Sequence, residues 1–264
     1  MARTPTSKPV THIGSAHART DALTLRGKDT LADIVGVKTF SESFFFIVTG
    51  VMPDAGQTVC FDACLNILMD HGLTPGAMVA RIVEDSVPED MQVAIAAGLL
   101  TVANRHVGTM AGAGRLLQEA IQSGEAPEAW AARTAARFRD QKRRVPGFGH
   151  PHYSPEDPRA TRLFEVAMGA GCEGRAIALL KTLGAEVDRA LGRHLTLNVT
   201  GAMAAVLTEI GFPVEAMRGV AVVGRAAGLV AHIYEEKQDG LTRALLEMAD
   251  REFTPGADGG GPPT

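Results

Sequence analysis

The chain has 264 residues, 45% of them hydrophobic, and its 26 Lys and Arg against 30 Asp and Glu leave a formal charge of −4. That length and apolar content build a substantial buried core, while the mild negative charge supplies no general electrostatic drive toward nucleic acid or an anionic membrane. The opening MARTPTSKPVTHIGSAHART has no apolar segment of the signal-peptide kind, and no uninterrupted apolar run approaches the roughly 18 residues of a membrane span, so a cytoplasmic protein is expected.

Along the chain, helical periodicity dominates and no series of alternating strands with hairpin turns stands out, which predicts an all-α fold. Helices are predicted near 41–50, 57–70, 75–84, 89–104, 108–122, 127–140, 158–169, 172–191, 196–210, 213–235 and 239–250, with short connectors of Gly, Pro or Asp between them. Residues 1–12 and the tail 254–264, TPGADGGGPPT, bury little surface and are expected to be flexible ends. Three cysteines make no disulfide framework. Cys60 and Cys64 lie four apart on a predicted helix and are expected as buried, reduced thiols, since no nearby His or Cys completes a set of zinc ligands.

In "DHGLTP", Thr74 and Pro75 form an N-cap and N1 pair. His71 reads equally as a cation at the preceding helix C-terminus or as a ligand-binding group. "ANRHVGTMAGAG" places His106 between two helical stretches. Its Gly-Ala-Gly has Leu117 where a dinucleotide fingerprint needs glycine, and no strand precedes it, which excludes a Rossmann reading. "RFRDQKRR", residues 137–144, is either a solvated helix face or a phosphate-binding run.

The loop in "RRVPGFGHPHYSPEDPRATRLFE" holds His150 and His152 in a rigid Gly/Pro frame that leads into Asp157-Pro158-Arg159 at a helix start. Such a loop presents side chains to a ligand. An H-x-H metal pair with Asp157 lacks a clear third ligand, and a plain turn with histidines capping carbonyls is the other alternative. In "GVAVVGRAAGLVAHIY", Arg225 and His232 interrupt an apolar run and share a helical stripe with Arg218. A buried guanidinium requires an anion: a carboxylate such as Glu235 or Glu236 of a neighbouring helix or subunit, or that of a ligand.

Together these segments resemble the citrate synthase superfamily. "PGFGHPHYSPEDPRA" resembles the family's G-F-G-H…D-P-R signature, with His150 and Arg159 nine residues apart, and it stands in order with "DHGLTPGAMVARI", "RHVG" and "GRAAGLVAHIYEEK". The likeness runs from about Arg26 to about Arg251, and the short length and "RGKDTLADIVG" make the chain most similar to short citryl-CoA lyases and the lyase module of ATP-citrate lyase. The resemblance implies an all-α homodimer with a large domain, 1–112 and 201–264, and a small domain, 113–200, that closes over the active site. It also implies a carbon–carbon lyase or acyltransferase that needs no metal and no permanently bound cofactor. Its substrates are a coenzyme A thioester of the acetyl-CoA type and a dicarboxylic 2-oxo acid of the oxaloacetate type, with no nucleic-acid or membrane partner.

By the same likeness, His71, His150, Arg159 and Arg225 surround the oxo acid. His106 holds the thioester oxygen as enolate charge develops, and His150 exchanges a proton with the oxo acid's oxygen, taking the hydroxyl proton in cleavage. Gly147, Phe148, Gly149, Arg143 and Arg144 fall to the coenzyme A. One departure stands out in "LTLNVTGAMAAVLTEIG": Asn198 and Val199 match, but Thr200 replaces the family's catalytic aspartate. Losing a general acid–base group costs about 10² to 10⁴ in rate. Four readings follow: a substitute such as Glu209 or a water held by Thr200, a substrate such as a malonyl-type thioester that needs no base, an acyl-CoA-binding paralogue without turnover, or one half of a hetero-oligomer. For the arginine that the family sends to the partner's site, only Lys237 and Arg243 lie near the expected region.

Overall fold

In the computed structural model, which describes residues 11–14, 23–69, 72–102 and 109–253, each of the predicted helices is present. They are α1 (Phe40–Thr49), α2 (Ala55–Met69), α3 (Pro75–Ser86), α4 (Met91–Leu100), α5 (Thr109–Ser123), α6 (Pro127–Asp140), α7 (Pro158–Gly169), α8 (Arg175–Leu191), α9 (Val199–Glu209), α10 (Met217–Gln238) and α11 (Leu241–Glu252). Two local features escape periodicity. A hairpin pairs β1 (Thr24–Leu25) with β2 (Lys28–Asp29) through Arg26 and Gly27, both at positive φ, and a π-helical turn, Thr30–Ile34, follows with Asp29 as its cap.

The chain divides into two compact units, Met1–Cys64 with Thr109–Arg218, and Leu65–Gly108 with Gly219–Thr264. The segment 113–200 lies wholly inside the first. That unit is built around α9, whose residues from Val199 to Leu207 are all buried. Its run of small side chains, Gly201, Ala202, Ala204 and Ala205, lets α5, α7 and α8 pack closely around it. Phe44, Phe45, Phe61 and Phe212 form a ring cluster with centroids 5.1–6.4 Å apart. Thr39 and Glu42 start α1 with a reciprocal capping box, and Arg26 donates to the carbonyls of Ile47 and Val48 at its other end.

In the second unit, α3 packs on α4 and α11, and Leu229 and Ile233 of α10 join Ala77, Ala80 and Ala94 in one apolar cluster. Gly224 and Gly228 of α10 bring its backbone against Leu65, Leu68 and Met69; a Cβ at Gly224 would lie 2.8 Å from the Leu65 carbonyl oxygen. The stretch Val214–Gln238 is, by length and composition alone, apolar enough to cross a membrane, with 39% of its most apolar window buried inside the protein. Arg218 and Arg225 interrupt it, which is why the sequence holds no uninterrupted run of that length.

Candidate active site

The first unit brings three segments of the G-F-G-H…D-P-R signature and the Asn-Val-Thr stretch together. The loop before α7 lies antiparallel to the strand-like lead into α9. Gly149 N–H donates to the Thr196 carbonyl (2.7 Å), Asn198 N–H to the Gly147 carbonyl (3.0 Å), and Phe148 bridges Leu197. Gly147 has φ +88°, and a Cβ there would sit 2.9 Å from the Gly201 Cα, so both positive φ and close approach require glycine. Asn198 locks the joint. Its Oδ1 accepts from the N–H groups of Thr200 and Gly201 as the α9 N-cap, while its Nδ2 donates to the Gly149 carbonyl (2.9 Å).

Asp157 is the second lock. Fully buried, it caps α7 by accepting from Arg159 N–H, takes two further bonds from Arg159 Nε and Nη2 (both 2.9 Å), and accepts from Val199 N–H (3.0 Å) at the start of α9. Burial alone would raise its pKa. The bonds and charge of Arg159, with the Val199 and Arg159 N–H groups, outweigh that and hold its carboxyl below the usual range. Asp157 is thus a bracket for Arg159 and not free for a metal. Among the described residues no group of three or more His, Cys, Asp or Glu side chains is placed to hold a metal ion.

His150 stands over this bracket. Its Nδ1 accepts from the N–H groups of His152 (3.1 Å) and Tyr153 (3.0 Å), its ring lies 4.6 Å from that of Tyr153, and Arg159 sits 5.0 Å from the Tyr153 ring centroid. Burial, then the charge of Arg159, lowers the His150 pKa. The ring is therefore neutral at neutral pH, and with Nδ1 accepting, the hydrogen-bond pattern assigns its proton to Nε2. Nε2 is 3.3 Å from Arg159 Nη2. In this tautomer both are donors, so the pair presents two N–H groups side by side, an arrangement that suits a substrate oxygen and not each other. His152 is exposed and contributes its backbone.

Thr200 is buried at the first turn of α9, with its hydroxyl donating to Asn198 Oδ1 (2.7 Å) and 2.7 Å from the Thr109 hydroxyl. Its one proton being committed to Asn198, Thr109 donates to it. Glu209 is engaged elsewhere: its Oε2 accepts from the N–H groups of Ala176 (2.7 Å) and Ile177 (3.2 Å), closing the N-terminus of α8. That removes it as the substitute carboxylate considered above.

Of the remaining expected residues, Phe148 is buried with its ring 3.2 Å from where a Cβ on Gly184 would be, so it is a core side chain. Arg143 and Arg144 are exposed, Arg143 lying 5.4 Å from the centroid of the Phe138 ring. Arg225 is buried in the second unit and has an interaction partner. Glu235 and Glu236, considered as its partners, instead pair with Arg81, which also meets His232 Nδ1 (3.1 Å). Buried Glu84 joins Lys237 (2.7 Å) beside them. Lys237, named for the trans-subunit role, is therefore held within its own unit, and it also donates to the Pro88 carbonyl. His71 and His106 lie outside the described residues. Asp157 as an anchor, Tyr153 and Thr109 were not foreseen, although Asp-Pro-Arg has the order of an N-cap, N1 and N2.

Fold and site define a class: a predominantly helical protein that sets a neutral histidine beside an arginine at the starts of two helices. The citrate synthase C-terminal domain matches residues 13–245, and the chain belongs to the citrate synthase family. Citryl-CoA lyase from Hydrogenobacter thermophilus superposes with a TM-score of 0.82 at 32% identity, covering 97% of this chain and 96% of that one. An ATP citrate lyase from Methanosaeta concilii, in complex with (3S)-citryl-CoA, shares the fold at TM-score 0.74 and 22% identity, over 97% of this chain and 43% of that one. Haloferax volcanii citrate synthase is 29% identical over 224 residues, 81% of this chain and 56% of its own length. The chain thus spans about half the length of the curated relatives it matches.

Proposed function

We propose that this protein makes or breaks the carbon–carbon bond between a coenzyme A thioester of the acetyl type and a dicarboxylic 2-oxo acid of the oxaloacetate type, as a citryl-CoA lyase does. The observation that carries the reading is the His150–Arg159 pair of donors, held by Asp157 over the start of α9. Arg159 grips a carboxylate with the charge and planar fork that such recognition uses. His150 Nε2–H donates to the adjacent carbonyl oxygen of the oxo acid as negative charge develops there in condensation. For cleavage, the expected transfer of the hydroxyl proton to His150 requires Nε2 to be free of its own proton, so the ring must first give up the tautomer that its two backbone contacts favour. By family likeness, His106 holds the thioester oxygen, and His71 and Arg225 serve the oxo acid. The same likeness supports a homodimer, a small domain over 113–200, a cytoplasmic location, and no permanent cofactor.

Thr200 favours one second reading, an altered-chemistry or non-catalytic acyl-CoA-binding paralogue, since its hydroxyl proton is already donated to Asn198. The test follows oxaloacetate release from citryl-CoA through malate dehydrogenase and NADH absorbance in the wild type and in Thr200→Asp. Turnover by the wild type supports the lyase. Turnover only in the variant favours altered natural chemistry, and none in either sinks both the lyase and the assignment of position 200.

A further inference from the structure

The loop that presents His150 offers few groups by which it is held. Pro151 and Pro155 have no N–H, and the N–H groups of His152 and Tyr153 are taken by His150 Nδ1. Among the described residues, its carbonyls between Gly149 and Asp157 are bonded from outside at two points, both from the connector that joins α8 to α9. The Thr196 hydroxyl donates to the Tyr153 carbonyl (3.0 Å), and His194 Nε2 bonds the Pro155 carbonyl (2.8 Å). Pro155 follows closely on Tyr153, whose ring meets that of His150 at 4.6 Å and lies 5.0 Å from the Arg159 guanidinium.

The second of these points depends on charge. His194 Nδ1 faces Asp188 Oδ2 (2.7 Å), and Asp188 Oδ1 accepts from Leu195 N–H (2.8 Å), so α8 fixes both the connector and the ring. Each ring nitrogen of His194 thus points at an oxygen that only accepts, and an imidazolium alone donates from both. His150 is the opposite case, with Nδ1 facing two N–H donors. The charged groups that face the His194 ring are Asp188 on α8 and Glu156 on the loop, both acidic, while exposed Arg193 precedes it on the connector. The bonds to Asp188 and the Pro155 carbonyl outweigh partial burial and raise the His194 pKa. Above it, the ring has one proton for two acceptors. The carboxylate is the stronger acceptor and takes it, which leaves the Pro155 carbonyl facing a lone pair.

We infer that His194 is a positioning residue for the candidate site: as an imidazolium it ties the Pro155 carbonyl to Asp188 and keeps the His150–Arg159 donor pair assembled, and it releases the loop when it loses its proton. The sign follows from the direction of the shift. A histidine whose folded pKa is raised holds its contacts fully at acid pH and loses them as pH climbs through the folded value. The site is therefore assembled at neutral and mildly acid pH and loosens on the alkaline side. The part of this that concerns ligand binding rests on the proposed oxo-acid substrate, whereas the order of the loop is read without any ligand.

The experiment follows amide hydrogen exchange of the segment 149–157, corrected for the intrinsic effect of pH, between about pH 6 and about pH 9. It compares the wild type, His194→Ala and Asp188→Asn, and measures the Kd of oxaloacetate for each by titration calorimetry. In Asp188→Asn the amide oxygen still accepts from Leu195 N–H while its N–H donates to His194 Nδ1, so a neutral ring donates from Nε2 to Pro155 at every pH. Wild-type protection of the His152 and Tyr153 amides falls about 3- to 10-fold across the range, the scale of one charge-assisted bond on a half-exposed ring, and oxaloacetate affinity falls with it. His194→Ala stays at the low level throughout, and Asp188→Asn stays near the wild-type value at acid pH. Constant wild-type protection overturns the inference, as does an equal fall with pH in either variant. So does an oxaloacetate Kd that ignores pH while protection falls, which would make His194 a structural tie alone. If protection follows the expected pattern and oxaloacetate binds at no pH, the proposed oxo acid falls and the assignment of His194 to the loop stands.

Discussion

Replacing Asp157 by alanine removes four bonds at once, to Arg159 N–H, Nε and Nη2 and to Val199 N–H. Each loss has a known scale. Breaking a buried ion pair from one side costs about 3–5 kcal/mol, and losing an N-cap costs about 1 kcal/mol. The Arg159 side chain is 28% exposed, so water recovers part of the first cost, and the terms share atoms and do not add. About 3–4 kcal/mol is the expected total. At about 2–4 °C per kcal/mol for a chain of this size, the melting temperature falls by roughly 10 °C. Asp157→Asn keeps an acceptor for the cap but sets an amide against the guanidinium and should lose about half as much. Urea unfolding followed by far-UV circular dichroism measures all three proteins. An alanine variant within about 0.5 kcal/mol of wild type would refute the account of Asp157 as the link between α7 and α9.

Glu209→Ala leaves the N–H groups of Ala176 and Ile177 without their acceptor, and the same unfolding assay should register a loss of about 1–2 kcal/mol with little change in the Kd for acetyl-CoA. His194 bonds Asp188 (2.7 Å) and the Pro155 carbonyl (2.8 Å), which together raise its pKa by favouring the imidazolium that donates to both. A raised histidine pKa contributes stability that is full below the unfolded value of about 6.5 and is lost as pH climbs through the folded value. Between about pH 6 and pH 9 the wild-type urea midpoint should therefore fall toward that of His194→Gln; a gap that stays constant across this range would contradict the assignment.

The helices were legible because most are amphipathic and end at Gly, Pro or a capping side chain, as at Thr39, Asp157 and Asn198. The hairpin was not, because two residues per strand carry no readable alternation. The likeness of the signature loop to the family's pointed to His150 and Arg159, yet it did not show which tautomer His150 holds, since that depends on two backbone N–H groups brought round by the turn. Glu209 shows a different limit. Local sequence offers a carboxylate on the same helix as Thr200, whereas its actual partner, the start of α8, lies more than thirty residues earlier. The Arg81 cluster is non-local in the same way: Glu235 and Glu236 are near Arg225 in sequence but answer a guanidinium on α3, about 155 residues away. The cysteines needed no such information. Cys60 and Cys64 are buried, and burial, with Cys172 nearby, pushes the Cys60 thiol up to about 12.

Position 200 brings these constraints to bear on the chemistry. A carboxylate introduced by Thr200→Asp would replace a hydroxyl that now donates to Asn198 Oδ1, and would instead oppose that oxygen, acceptor against acceptor. Asn198 has little freedom to relieve this by flipping its amide, because Oδ1 caps α9 and Nδ2 holds the Gly149 carbonyl. The Thr109 hydroxyl is the available donor, already within 2.7 Å of the present oxygen. Repulsion from Asn198 and burial would both raise the new carboxyl's pKa, toward the range in which it can deliver a proton to an enolate carbon. The scaffold therefore has a place for an acid at this position but keeps a hydroxyl whose proton is spent on its own N-cap. Under the proposed reaction, protonation of an enolate draws on a group other than Thr200 or Glu209, or the reaction proceeds without it.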